Sequence, residues 1–190
     1  MKKIACIVLG MFFICAPCLA ETTGKGPLSG MEFLTGYTQA KLIRSQGDYQ
    51  TVPLMADFDF DMKTWFKDIN YPGLLQFQIE PCISTVVSPD PNIEAGNAFA
   101  VKFGFLPETS KFQPYMKIAG GFLYMSQHTR EQSTQFNFFE YGSMGAHYFF
   151  NDKTGITIEG RFRHLSNAGI REPNHGINSV VALIGLIRLF

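Results

Sequence analysis

Cysteine is scarce in this sequence, and long apolar runs are confined to its start. The chain has 190 residues and four cysteines, of which only Cys82 lies beyond residue 20. A single cysteine cannot form an intramolecular disulfide, so this part of the chain is not a small disulfide-stapled module. No segment there approaches the roughly 18 consecutive apolar residues that a membrane-spanning helix needs.

Charge is also sparse and evenly balanced. Basic and acidic residues number 16 each, and together they make up 17% of the chain. Because two lysines lie at positions 2 and 3, 14 basic residues remain against 16 acidic ones after the start of the chain. That balance gives no basic excess for binding nucleic acid. Phenylalanine and glycine are abundant, at 19 and 18 residues, which is typical of a β-protein with many exposed rings.

The first twenty residues have the features of a secretory signal peptide. A charged start at residues 2–3 precedes an apolar stretch, and residues 18–20 (Cys-Leu-Ala) provide a small-x-small cleavage site. We therefore expect residues 1–20 to be removed after export. Residues 21–190 then form a single domain.

The rest of the sequence alternates apolar and polar residues between turn-forming clusters. The pattern is clearest over residues 53–62, where Asp57, Asp59 and Asp61 oppose a set of apolar side chains. Successive side chains on a strand point to opposite faces, so the face with three aspartates must line a wet interior or an exposed surface. The alternation predicts about eight strands. They cover residues 31–43, 53–62, 75–83, 95–105, 115–124, 134–150, 155–166 and 177–190.

Two barrel architectures fit eight alternating strands. A soluble, lipocalin-like barrel would keep its apolar face inside, whereas a membrane barrel would turn that face outwards. Strands of ten or more residues, an export signal and a polar inner face favour the membrane barrel. Closure of the sheet also removes the unpaired backbone groups that are costly in lipid. We therefore predict an all-β fold, an eight-stranded antiparallel transmembrane β-barrel in the cell outer membrane.

One predicted strand carries a histidine and a serine on its apolar face. His164 and Ser166 share the even positions with apolar residues, and the charged residues of the strand occupy the odd positions. A rise of about 3.3 Å per residue places their Cα atoms roughly 6.6 Å apart. A histidine can take the proton of a serine near neutral pH, which activates the serine as a nucleophile. Polar groups that face lipid are costly without a purpose, so the pattern predicts a catalytic dyad.

The base of such a dyad needs an acceptor that fixes its tautomer. Glu172 is the only carboxylate in the segment after Ser166, and it can approach the histidine if the chain turns back on itself. Glu140 and Glu159 are alternatives, although strand parity places Glu159 on the polar face. Asn167, next to the serine, is a further candidate for shaping the site.

No metal or other cofactor is predicted. His128, His147 and His175 share no ligand spacing with one another or with a pair of carboxylates. We interpret these three histidines as surface or rim residues.

The sequence around the dyad resembles a known family. The run Arg-His-Leu-Ser-Asn-Ala-Gly-Ile at residues 163–170, followed by Pro-Asn at 173–174 and Gly-Ile-Asn at 176–178, is similar to the signature of the outer-membrane lipid A 3-O-deacylases, the PagL family. The similarity extends to Phe-Asn-Phe at residues 136–138.

This resemblance implies a Ser-His-Glu triad on the outer wall of the barrel that hydrolyses the ester at position 3 of lipid A. It assigns the histidine and serine to His164 and Ser166, with Glu172 as the candidate acid. It also implies that Asn137 contributes to an oxyanion hole. The expected partners are lipid A, or lipopolysaccharide, and the outer membrane, without a cofactor.

Two other functions remain open at this point. The chain could be a non-enzymatic barrel that acts as an adhesin, a structural protein or a lipid-binding module. A palmitoyl-transfer enzyme would bind its acyl chain inside the barrel, and the charges predicted for the interior argue against it. The sequence leaves the oligomeric state undetermined, with a homodimer among the alternatives.

Overall fold

The computed structural model describes residues 27–43, 47–66 and 68–190, so the predicted signal peptide lies outside the described residues. Eight antiparallel strands close a barrel in sequence order, and the first strand pairs with the last. No helix within the described ranges is long and apolar enough to cross a membrane. The strands are β1 (Leu28–Lys41), β2 (Asp48–Asp61), β3 (Leu75–Ser88), β4 (Asn92–Gly104), β5 (Phe112–Met125), β6 (Phe136–Phe149), β7 (Thr154–Ser166) and β8 (Ile177–Leu189).

The barrel wall has apolar side chains outside and polar side chains inside. Ile118, Phe162 and Val180 lie on the outer face and are about 60% exposed (61%, 59% and 60%), whereas the charged residues Lys117 of β5 and Glu159 of β7 are buried. Such an outer surface suits lipid rather than water. The prediction of a transmembrane barrel is confirmed, and the lipocalin-like alternative is wrong.

Most strands are longer than the alternation alone predicted. The segment predicted over residues 53–62 lies in β2 up to Asp61, and β2 begins at Asp48; the segment predicted over 115–124 is part of β5, which begins at Phe112. Residues 48–51 of β2 include Asp, Gln and Thr, so the apolar alternation is weak there although these residues still pair with β1.

A network of ion pairs fills the interior. The Nζ atom of Lys117 lies 2.9 Å from carboxylate oxygens of both Glu80 and Glu159. Arg161 donates through Nη1 to Glu80 at 2.9 Å and also pairs with Glu159. These side chains come from β3, β5 and β7, so the network connects opposite sides of the barrel. The interior is therefore lined by charged side chains, which do not suit an acyl chain.

Two of the three aspartates of β2 lie in the interior of the barrel, and the third lies at the end of the strand. Asp57 and Asp59 are fully buried inside the barrel, where lysine ammonium groups lie 3.5–3.6 Å from their carboxylates. Asp61 instead caps the short 3₁₀ turn at Met62–Thr64, where its side chain accepts a hydrogen bond from the backbone N–H of Lys63. The prediction that this face of β2 lines the interior is thus correct. Lysine side chains from other strands, instead of solvent, surround its carboxylates.

His147 is not a rim residue as predicted. Its side chain is fully buried in the interior, with Nδ1 2.9 Å from Oγ1 of Thr157. Parity accounts for this position, because the residues next to His147 on each side of β6 are more exposed.

Candidate active site

His164 and Ser166 lie at the end of β7, on the outer face of the barrel. Both side chains are partly exposed, and the residues between and beside them on β7 point inwards. Residues 167–176 then connect β7 to β8. This connection shares one end of the barrel with residues 126–135, which connect β5 to β6.

The imidazole of His164 lies between two polar side chains on neighbouring strands. Its cross-strand partners are Glu140 on β6 and Asn178 on β8. Nδ1 of His164 lies 2.7 Å from Oδ1 of Asn178. Because an amide oxygen can only accept a hydrogen bond, Nδ1 carries the proton and Nε2 is left as the basic nitrogen.

The structure does not bring Glu172 to the histidine. Its carboxylate accepts a hydrogen bond from the backbone N–H of Asn174 at 3.0 Å, within the exposed β7–β8 connection. Glu159 points into the barrel, as strand parity predicted, and it pairs there with Arg161. The acceptor beside Nδ1 is therefore Asn178, which sequence reasoning did not consider.

Asn137 lies on the opposite side of the sheet from Ser166. Its side chain is fully buried, and its amide donates to the backbone carbonyls of Thr134 and Gln135 at 3.1 and 3.2 Å. The expected oxyanion role is therefore not supported by its position, since an inward side chain cannot reach a substrate on the outer wall. Asn137 instead fastens the β5–β6 connection to the start of β6.

Asn167 holds the turn that follows Ser166. Its side-chain amide donates to the carbonyl of Arg171 at 2.7 Å and to the hydroxyl of Ser133 at 3.2 Å, and its oxygen accepts from Gly169 N–H at 3.0 Å. Its backbone N–H donates to Oδ1 of Asn174 at 2.9 Å. Asn167 thus holds the turn together, and its backbone N–H anchors the side chain of Asn174; a role in the site stays a prediction.

Gly176 packs directly against the imidazole. The residue has φ +74°, and a Cβ at this position would overlap Cε1 of His164 and lie 3.1 Å from its Nε2. Glycine is therefore required for two reasons, the left-handed backbone and the close approach to the ring.

We expect Gly176→Ala to lower the turnover of any reaction that uses His164 by about 100-fold, because displacing a catalytic group by about 1 Å has an effect of that size. Gly47→Ala is a matched control: Gly47 has φ +94° with no atom within 4 Å of the added Cβ, so it introduces backbone strain without a clash. Turnover of the purified variants distinguishes the two effects. Equal losses in both variants would contradict the proposed contact with the ring.

Aromatic side chains flank the serine on the outer face. Phe138 is the cross-strand partner of Ser166, and it meets Phe136 edge to face with ring centroids 5.4 Å apart. Phe136 in turn stacks on Phe122 at 6.1 Å. Rings at this level are typical of the membrane–water interface of such barrels. In the part of the chain that the structure describes, no group of three or more His, Cys, Asp or Glu side chains could hold a metal ion.

The sequence matches a family model described as lipid A 3-O-deacylase (PagL) over residues 51–186. That range contains both dyad residues and seven of the eight strands in whole or in part. No curated protein matches the chain in sequence.

Solved structures of outer-membrane barrels have the same fold. The outer membrane enzyme PagL matches with a TM-score of 0.59 and 18% identity, covering 82% of this chain and 97% of that one. Neisserial surface protein A (NspA) matches with a TM-score of 0.62 and 12% identity over 85% and 97% of the two chains. OprG from Pseudomonas aeruginosa matches with a TM-score of 0.51 and 11% identity over 86% and 97%. At these identities the likeness concerns the fold.

Proposed function

This chain belongs to the lipid A 3-O-deacylase (PagL) family, and we propose that it hydrolyses the ester-linked acyl chain at position 3 of lipid A with Ser166 as nucleophile and His164 as base. The observation that carries the proposal is the polar pair on the lipid-facing wall, with the histidine held by a hydrogen bond at Nδ1. That bond leaves Nε2 to act on the serine, two residues along the same face. The acyl ester of a membrane lipid is the substrate class that such a position can reach.

The reaction begins with a proton transfer from Ser166 to Nε2 of His164. The serine Oγ attacks the acyl carbonyl carbon, and the resulting tetrahedral intermediate collapses as the sugar oxygen leaves. The imidazolium returns the proton to that oxygen, so the deacylated sugar carries a hydroxyl at position 3. Water then attacks the acyl-serine with His164 again as base, and a free hydroxy fatty acid is released.

The oxyanion of the intermediate needs donors near Ser166. Asn174 is better placed than Asn137 for this role, because its amide oxygen is anchored by the N–H of the residue that directly follows the serine. This bond fixes the amide group at the mouth of the site. A single donor of this kind contributes about 10²–10³-fold in turnover.

The position of the site agrees with an interfacial substrate. Ester-linked acyl chains of lipid A meet the sugar at the boundary between the hydrocarbon and the headgroups. The dyad lies at the end of β7, beside aromatic side chains that suit this level of the membrane. An enzyme with its site here reaches the ester without lifting the acyl chains from the bilayer.

A homodimer stays a prediction.

The activity can be tested with the purified barrel in detergent and isolated lipid A. We expect release of one ester-linked hydroxy fatty acid per lipid A, with the amide-linked chains retained, as measured by gas chromatography. A non-enzymatic adhesin or lipid-binding barrel would release none. Release of amide-linked chains would contradict an ester-specific serine mechanism.

A further inference from the structure

Glu140 is a carboxylate on the lipid-facing wall with no lysine or arginine beside it in the sheet. Its side chain is exposed on β6, where its neighbours along the outer face are Phe138 and Gly142. On the β5 side its cross-strand partner is Gly120, which has no side chain. The other outward residues of this part of β6 are apolar, so a carboxylate here is a candidate for a function.

The remaining neighbour of Glu140 in the sheet is His164. The two residues are directly opposite each other on β6 and β7, a relation that places Cβ atoms about 4.5–5.5 Å apart. Asn178 is opposite His164 on the other side and already accepts the Nδ1 hydrogen bond. The histidine is therefore flanked by a neutral amide on one strand and by an acid on the other.

We propose that two tasks usually performed by one carboxylate are divided here: Asn178 orients the imidazole, and Glu140 supplies the negative charge that stabilises the imidazolium. The inference rests on the proposed function, in which His164 becomes positively charged during both acylation and deacylation. It assigns Glu140 as an electrostatic partner of the base, not as a group that touches the substrate.

The chemistry of the two side chains requires such a division. An amide oxygen can fix the tautomer and the ring orientation, but it carries no net charge to offset the imidazolium. A carboxylate at the directly opposite position on the neighbouring strand attracts that charge even without a hydrogen bond. The apolar wall around the pair strengthens the attraction, because little solvent is present to screen it.

The test uses the full barrel, refolded in detergent, with lipid A as substrate. We expect Glu140→Gln, which keeps the shape of the side chain and removes its charge, to lower kcat about 10–100-fold with KM unchanged. Glu140→Leu, apolar like the outward residues around it, should lose as much. Asp152→Asn, in the exposed turn at the other end of the barrel, is the matched control and should retain full activity.

Moving the charge to the other side of the ring provides the decisive comparison. In the double variant Glu140→Gln with Asn178→Asp, the Nδ1 acceptor itself carries the charge, and we expect kcat to recover to within about threefold of wild type. A purely structural role for Glu140 would not be rescued in this way. Heat-dependent migration on gels verifies that each variant is folded.

Three results would overturn the division of tasks. Wild-type kcat in Glu140→Gln would show that the charge is not used, and a loss in Glu172→Gln instead would assign the acid to the β7–β8 connection. A double variant as slow as Glu140→Gln alone would show that the loss is not electrostatic. These outcomes differ from failure of the proposed function, in which the wild-type barrel itself releases no fatty acid.

Discussion

Ser166→Ala is expected to lower deacylation of lipid A by about 10⁴-fold or more, and His164→Ala should cause a loss of similar size. Without the hydroxyl there is no nucleophile for the acyl-enzyme, and without the imidazole the hydroxyl is not activated. Because the two groups act as a unit, the double variant should be no slower than either single one. The measurement is the rate of fatty acid release by each purified variant.

The barrel should be unaffected by either substitution. Both side chains lie on the outer wall and contribute nothing to the ion pairs of the interior, so heat-dependent migration on gels should match wild type. Ser88→Ala, at the end of β3, is a control for the loss of a hydroxyl and should remain active. Substantial activity in Ser166→Ala or His164→Ala would rule out the dyad mechanism.

Lys117→Met is expected to have the largest effect on stability, lowering the free energy of unfolding by about 3–5 kcal/mol. The ammonium group is fully buried and lies 2.9 Å from both Glu80 and Glu159, with Asp57 at 3.6 Å. Removing the cation leaves buried carboxylates without a counter-charge, and that is more costly than the ion pair is favourable. Urea unfolding of the barrel in detergent, followed by tryptophan fluorescence, measures the change.

The control for this variant is Lys153→Met. Lys153 lies exposed in the turn between β6 and β7, where loss of a charge should alter stability by less than about 0.5 kcal/mol. Equal stability of Lys117→Met and wild type would mean that the interior network does not hold the barrel together. Both variants replace a lysine by methionine, one in the buried interior and one in an exposed turn. The comparison therefore isolates the effect of burial on stability.

Strand parity predicted which face of the barrel wall the site residues of β7 occupy. The alternation in β7 alone places His164 and Ser166 on the apolar face and Glu159 on the other, and the structure has the same arrangement. The same rule applied to β6 predicts the direction of Asn137: Phe136 and Phe138 point outwards, so Asn137 must point inwards. The family resemblance alone carries no information on which face of the strand Asn137 occupies.

The partners of His164 could not be predicted from parity. Asn178 is fourteen residues along the chain, and its contact with the histidine depends on the register of β7 with β8. That register is fixed by the ten-residue connection and its internal hydrogen bonds, which the alternation does not specify. Glu172, nearer in sequence, instead lies in that exposed connection.

Sequence analysis could not predict the ion-pair partners inside the barrel either. Alternation assigns Asp57 and Lys117 each to the inner face of a strand, but β2 and β5 are not neighbours in the barrel. Their approach across the interior depends on barrel diameter and strand stagger. The sequence therefore predicted a polar interior without predicting its ion pairs.

The most direct test of this account is mass spectrometry of lipid A from detergent-solubilised outer membranes of cells that express the chain. We predict a lipid A species that lacks one ester-linked hydroxyacyl chain at position 3, and its absence from cells that express Ser166→Ala at the same level. Unchanged lipid A in the presence of folded wild-type barrel would contradict the account, as would equal deacylation by the Ser166→Ala variant.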